Sequence, residues 1–366
     1  MAGKLTVEFA LETACSMRCR YCYSAHTKPN PMTKQVADDF FNKIPLMLDY
    51  YDKDSYHISY FGGEPLLNWE IIEYTLPKFN NDKRCKSVIV ITNGTLLDEY
   101  KVNFLKENNC GISLSFDGIW QDKNRPQEDK NGTFEWFIKN KNLIHKITDS
   151  CKVMIYPRNF KTLTENFEFF INEYQFMHPD FCLVRDNIYR QEDIEIFKIE
   201  IERLAKKIIE FQSKGINAGV GLFELYTLDI LANQRFGKRD HGCFVGVSGL
   251  EYAVDGNFWP CERFRSAGKF QLSDGYNLIK ENLDFLKDPK ISDPKTFDEC
   301  KTCEIYEFCN MGCTFSEMRE QSMQGRSPVK SVCELLKHSY KWAMWVFQNS
   351  NDEYKKYLFR RLENGG

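Results

Sequence analysis

The sequence lacks the features that would take it to a membrane, out of the cell or onto nucleic acid. No apolar run approaches the roughly 20 residues that a helix needs to span a bilayer. The opening MAGKLTVEFALETA has no charged-then-apolar signal segment. Charge of one sign is also missing: 49 basic against 52 acidic side chains leave −3 at pH 7, so no global basic field draws in polyanions. There is no internal repeat and no low-complexity tract, and the six histidines show no ligand spacing. These absences point to a cytoplasmic globular protein with neither a nucleic-acid nor a membrane partner. Its 366 residues are enough for one large domain and a smaller one.

What the sequence does have is cysteine, fourteen in all. Disulfides are disfavoured in a reducing compartment, so metal ligation is the better reading. Cys85, Cys110, Cys151 and Cys182 are scattered, mostly in or beside apolar stretches, and read as small buried hydrophobes. The other ten form an N-terminal cluster (Cys15, Cys19, Cys22) and a C-terminal group (Cys243, Cys261, Cys300, Cys303, Cys309, Cys313, Cys333). That asymmetry suggests two parts with different jobs. Aromatic residues make up 14% of the chain and are mostly core, Phe134 and Trp136 among them as helix packing.

Six β-rich runs, LTVEFAL, YHISYF, SVIVIT, GISLSF, CKVMIY and FCLVRD, alternate with amphipathic segments such as VADDFFNKIPLMLDYY. Strand and helix in turn imply βα units and a parallel sheet. Six units do not complete an eight-unit barrel, so the expected fold is α/β with a partial (β/α)6, TIM-like barrel whose ligands sit at the carboxyl ends of the strands. The stretch from about 187 to 236 is strongly helical, and one of its helices should end at Gly215. The expected organisation is a barrel over 1–215, a helical bridge over 216–240, a cysteine-rich domain over 241–335 and a C-terminal helix over 336–366. The Asp- and Lys-rich stretch 284–298 reads as a solvated linker.

Cys15, Cys19 and Cys22 form C-x3-C-x2-C directly after the first strand. Three thiolates suit a [4Fe–4S] cube with one iron left open, unlike the closed four-thiolate site of a structural zinc. In FGGEP, Gly62 and Gly63 let the backbone approach a ligand, Glu64 offers a carboxylate to an ammonium and Pro65 stiffens the turn. ITNG and SFDG close the third and fourth strands with small polar residues. C-x3-C-x-aromatic-C, with Tyr21 as the aromatic, together with GGEP resembles the signature of radical S-adenosylmethionine enzymes. The resemblance implies an open iron that chelates the cofactor's amino and carboxylate groups, and a cofactor cleaved to a 5′-deoxyadenosyl radical. It makes Asn93, Ser115 and Asp117 candidates for the ribose and methionyl sites, and Arg125 a candidate for the cofactor carboxylate.

The C-terminal cysteines read alone as one or two structural zincs. Beside the N-terminal motif, their layout resembles the SPASM domain of radical enzymes that modify peptides and proteins. The resemblance implies two auxiliary [4Fe–4S] clusters, hence three in all. Cys243, Cys261 and Cys313 would hold one, and Cys300, Cys303, Cys309 and Cys333 the other. Seven ligands cannot close two cubes, so one keeps an open iron or takes a non-cysteine ligand. Anaerobic sulfatase-maturating enzymes share this organisation, but carry glutamines before GGEP and before TNG and an aspartate after the YPC cysteine. Here those places hold Phe61, Ile91 and Glu262. The expected activity is therefore maturation of a ribosomally made peptide by a thioether or other crosslink. Sulfatase maturation is the alternative, and a zinc-binding interaction module is the rival from another class. Glu262 is the candidate general base. Expected partners are a peptide or protein substrate and an electron donor such as flavodoxin or ferredoxin. With no spare N-terminal stretch for a leader-binding domain, a separate protein or the barrel itself would read any leader.

Overall fold

In a computed structural model the chain is described over residues 3–24, 28–185, 188–237, 243, 245–292, 297–309, 312–318 and 329–363. All six expected strands form: β1 (Gly3–Glu12), β2 (Lys53–Gly62), β3 (Cys85–Thr92), β4 (Cys110–Leu114), β5 (Lys152–Ile155) and β6 (Asp180–Leu183). Four more follow among the described residues: β7 (Gly249–Tyr252), β8 (Phe258–Trp259), and the short antiparallel pair β9 (Ser273–Asp274) and β10 (Asn277–Leu278). The residues divide into two compact units, the first of 1–115, 121–148 and 244–292, the second of 116–120, 149–243 and 293–366.

The first unit is built on a six-stranded sheet of order β4-β3-β2-β1-β7-β8. β1 to β4 are parallel, β7 runs parallel to β1, and β8 returns antiparallel to β7. Alternation in β1 explains its placement: Leu5, Val7 and Phe9 are fully buried on one face. There the Phe9 ring meets Phe40 of the helix Lys34–Tyr51, Phe79 of the helix Trp69–Asn81 and Tyr252 of β7, at 5.2, 5.4 and 5.6 Å between centroids. The other face carries Glu8, whose register partners are Ser59 on β2 and Glu251 on β7.

Placing β7 beside β1 draws residues 244–292 into the first unit, whereas the sequence assigned them to a separate cysteine-rich domain. The supposed linker also differs. Residues 280–287 are a helix whose Leu283 and Leu286 are fully buried, and Tyr50 donates to Asp284 at 2.5 Å. Two leucines three residues apart anchor a turn of helix that its charge count conceals. Residues 293–296 of that stretch lie outside the described residues.

The second unit pairs β5 with β6 in parallel. It packs the long helices Gln191–Ser213, Gly221–Phe236 and Lys330–Asn349, with Tyr226 stacked on Tyr340 at 4.2 Å. The first ends as expected, with Gly215 at φ +81° just beyond it. The expected single C-terminal helix is two, Lys330–Asn349 and Asp352–Glu363. Of the four scattered cysteines, Cys110 and Cys151 are buried, but Cys85 and Cys182 are only partly so. No helix among the described residues is long and apolar enough to cross a membrane.

Candidate active site

The loop after β1 is fixed by a carboxylate that the sequence did not single out. Glu12 is buried, and its Oε1 accepts from the backbone amides of Thr13, Ala14 and Asn30 at 2.8, 3.0 and 2.8 Å. Beyond it Cys15 and Cys19 are partly buried and Cys22 is exposed. Residues 124–128 strap this loop. Arg18 N donates to Pro126 O at 2.7 Å, Arg20 N to Asn124 O at 2.9 Å, and Glu128 N to Ser16 O at 3.3 Å. The Arg18 guanidinium donates to the carbonyls of Cys15 and Met17 and pairs with Glu128 at 2.6 Å. Arg125 is buried, with its guanidinium 5.3 Å from the centre of the Tyr21 ring.

Burial pushes the Cys15 thiol up to about 12, and Glu64, Cys19 and Cys22 add to the shift. A thiol so resistant to ionising needs positive charge at its sulfur to exist as a thiolate, which an iron–sulfur cluster supplies. Among the described residues no three His, Cys, Asp or Glu side chains are grouped as a single metal ion requires. Thiolates on a cube stand further apart than that, because each binds a different corner.

Gly62 and Gly63 serve the chain itself before any ligand. A Cβ on Gly62 would stand 2.3 Å from the carbonyl oxygen of Glu12, and one on Gly63 2.1 Å from that of Ala14. Their bareness lets the end of β2 close onto the cluster loop, where Gly63 N and Glu64 N donate to those same carbonyls. Glu64 then caps the one-turn helix Pro65–Asn68, with Pro65 at its first position. The Glu64 carboxylate is 1% exposed. It accepts from Leu66 N at 3.1 Å, Thr92 Oγ1 at 2.6 Å and Asn93 N at 2.8 Å. Burial nevertheless raises it to about 7, for all its donors are neutral. A buried carboxylate of this kind suits an ammonium ligand.

Asn93 reaches the cluster loop, its Nδ2 lying 3.3 Å from Ser16 Oγ and 4.0 Å from Cys15 Sγ. Ser115 is partly buried just beyond β4, its amide on Thr92 O. Asp117 departs from expectation: it is fully buried, and its Oδ1 accepts from Met154 N of β5 at 3.0 Å. Its side chain ties β5 to the turn after β4.

Glu262 is 4% exposed at the start of a short helix whose N-cap is Cys261. It joins two acids that sequence reasoning missed. The amide of Glu262 donates to the Glu8 carboxylate, which burial and the charge of Glu262 raise to about 7. Arg265 Nε lies 2.9 and 3.0 Å from the two carboxylate oxygens of Glu251, and its NH2 3.6 Å from Glu262 Oε1. Burial raises Glu262 and Glu251 as well. A polar residue in alternation within TVEFALE is the one signal that marks Glu8, and it becomes informative only beside β7.

Cys261 belongs to the first unit; the other six C-terminal cysteines belong to the second. Cys303 N donates to Cys300 O, and Cys333 lies in the first turn of the helix Lys330–Asn349. Burial pushes the Cys333 thiol up to about 11, with Glu317, Cys300 and Cys303 adding to it, so these three thiols share one neighbourhood.

Residues 12–163, from the end of β1 past β5, match the model of the Radical SAM superfamily. The chain carries a radical SAM domain. Among curated relatives, the radical SAM cyclopropyl synthase TigE of Paramaledivibacter caminithermalis is 21% identical over 325 residues, 84% of this chain and 67% of TigE. The cysteine-type anaerobic sulfatase-maturating enzyme of Clostridium perfringens is 22% identical over 354 residues, 90% of this chain and 94% of that enzyme. The fold is shared with anSMEcpe with bound AdoMet, at a TM-score of 0.75 and 19% identity over 98% of this chain and 99% of that one. Streptococcus suis SuiB bound to its precursor peptide SuiA gives 0.56 and 16% over 90% and 76%. The likeness to anSMEcpe thus runs beyond the radical SAM domain through the cysteine-rich C-terminal part. Every residue of the cluster loop and of the GGEP turn falls inside the matched segment, while Glu8, Glu251 and Glu262 fall outside it.

Proposed function

We propose that the chain is a radical S-adenosylmethionine enzyme that modifies a ribosomally made peptide, installing a thioether or another crosslink. What carries the reading is the meeting, within one unit, of the three-thiol loop and a buried carboxylate whose donors are all neutral. Two relatives support the peptide: SuiB is known with its precursor peptide, and the Clostridium perfringens enzyme matures a sulfatase.

Cys15, Cys19 and Cys22 hold the catalytic cluster, Glu64 takes the cofactor's ammonium, and Asn93, Ser115 and Arg125 line its remaining polar groups. The cluster and S-adenosylmethionine together supply a 5′-deoxyadenosyl radical that takes a hydrogen atom from the substrate. The chain's own part is to present the substrate and to take a proton from it at Glu262, which burial makes a better base than an ordinary carboxylate. Cys300, Cys303, Cys309 and Cys333 would hold one auxiliary cluster and Cys243, Cys261 and Cys313 the other; these would accept the electron left as the substrate radical loses its proton, and a flavodoxin or ferredoxin would supply the electron that starts each turnover.

Sulfatase maturation is the second reading, favoured by coverage of 94% of the Clostridium perfringens enzyme. The test is anaerobic reconstitution with iron and sulfide, followed by incubation with S-adenosylmethionine, dithionite and candidate peptides. About twelve irons per chain are expected for three cubes, with 5′-deoxyadenosine formed and a peptide two hydrogens lighter. A sulfatase-derived peptide converted to its aldehyde would decide for the second reading. Bound zinc and no deoxyadenosine would sink both.

A further inference from the structure

The opposite face of the first unit's sheet from its aromatic core carries a row of side chains set by register: Ile89 on β3, Ser59 on β2, Glu8 on β1 and Glu251 on β7. Parallel strands in register put the two glutamates side by side on one face. Glu262 joins them from the short helix, its amide on Glu8. Three carboxylates therefore meet two guanidinium groups. Arg265 is bound by both oxygens of Glu251, and Arg263 lies over the Tyr23 ring at 3.8 Å.

Two carboxylate oxygens of this group are left without a donor. Oε2 of Glu8 and Oε2 of Glu262 are both shielded from solvent, and neither has a hydrogen-bond partner among the described residues. Glu262 is itself 96% buried, being 4% exposed. A buried carboxylate oxygen without a donor is costly, on the order of 1–3 kcal/mol or more, and a sequence that needed only a packed wall would place an apolar residue there. Two such oxygens, on carboxylates joined through the Glu262 amide, form a receptor for a cation with several N–H groups.

We propose that Glu8 and Glu262, backed by Glu251 and Arg265, form the subsite for a positively charged group of the substrate, an ammonium or guanidinium presented by a lysine or arginine side chain. This rests on the peptide-modifying reading and adds the chemical class of the residue that enters the site. The oxygen assigned there as proton acceptor then faces an N–H of the substrate. Arg265 occupies both oxygens of Glu251, so the oxygens left without a donor are those of Glu8 and Glu262.

The test is equilibrium dialysis of the reconstituted holoenzyme, loaded with S-adenosylmethionine, against acetyl-arginine amide, acetyl-lysine amide and the neutral isostere acetyl-citrulline amide. Saturable binding of one cation per chain is expected, with citrulline at least tenfold weaker. Glu8→Gln is expected to weaken the arginine probe at least tenfold. Glu70→Gln, at an exposed ion pair with Lys34, is expected to leave binding unchanged. Citrulline binding equal to arginine, no saturable cation binding, or an unaffected Glu8→Gln overturns the inference. The comparison of probes on the unmodified protein stands even if the variant fails to fold. A modified peptide without any cation preference would remove this subsite alone, and cation binding without any modified peptide would remove the proposed function alone.

Discussion

Glu64 shows how a single residue can be held against its own stability. Burial lifts it from its ordinary value of 4.5 to about 7, although three donors face it. A carboxyl whose folded value is raised binds its proton more tightly folded than unfolded. Its stabilising contribution is whole below about 4.5 and is lost as the pH climbs through about 7. Glu8 behaves alike, and each shift corresponds to about 3 kcal/mol. The cluster-free chain should therefore melt at lower temperature at pH 8 than at pH 5.5, and a flat profile by calorimetry would contradict the assignment. If Glu64 takes the cofactor's ammonium as proposed, only its ionised form does so, and the affinity for S-adenosylmethionine should rise about tenfold from pH 6 to pH 8. Glu64→Ala should weaken it at least tenfold by dialysis, from loss of a charged hydrogen bond of about 2 kcal/mol. Arg18 acts at the same scale, gripping two carbonyls of the cluster loop. Arg18→Ala should release iron to a chelator several-fold faster, and an unchanged rate would show that the backbone bonds from 124–128 suffice.

At the scale of elements, the helix 280–287 makes the sharpest prediction. Leu283→Ala removes a fully buried side chain and should cost about 2–5 kcal/mol in unfolding measurements; a solvated linker would show almost none. That stretch was misread because its acids and lysines outnumber the two leucines that anchor it. The strands were legible, since LTVEFAL and SVIVIT alternate or run apolar as half-buried and buried strands do. The cluster loop was legible because its spacing is local. Glu8 and Glu251 were not, since about 240 residues separate them and only the β1–β7 register makes them neighbours. Asp117 misled for the opposite reason. Asp-Gly after a strand suits either a ligand or a turn, and the amide of Met154 took the carboxylate.

Over the whole molecule, the ten clustered cysteines divide between the two units, with Cys15, Cys19, Cys22 and Cys261 in the first. If Cys300 and Cys333 serve one cluster, Cys300→Ala and Cys333→Ala should each lower iron by about four per chain, and the double variant should fall no further than either alone. Additive losses by metal analysis would place the two thiols in different clusters. A further consequence lies in the position of β1 between β2 and β7. The strand that leads into the cluster loop is made first, yet its second neighbour leaves the ribosome about 240 residues later. At roughly 5–20 residues per second that is a delay on the order of 12–50 s. Throughout it one edge of β1 has no partner of its own, an open seam able to pair with another nascent chain. The yield of active protein should thus be governed as much by the pace of synthesis and by chaperones at the ribosome as by the supply of iron.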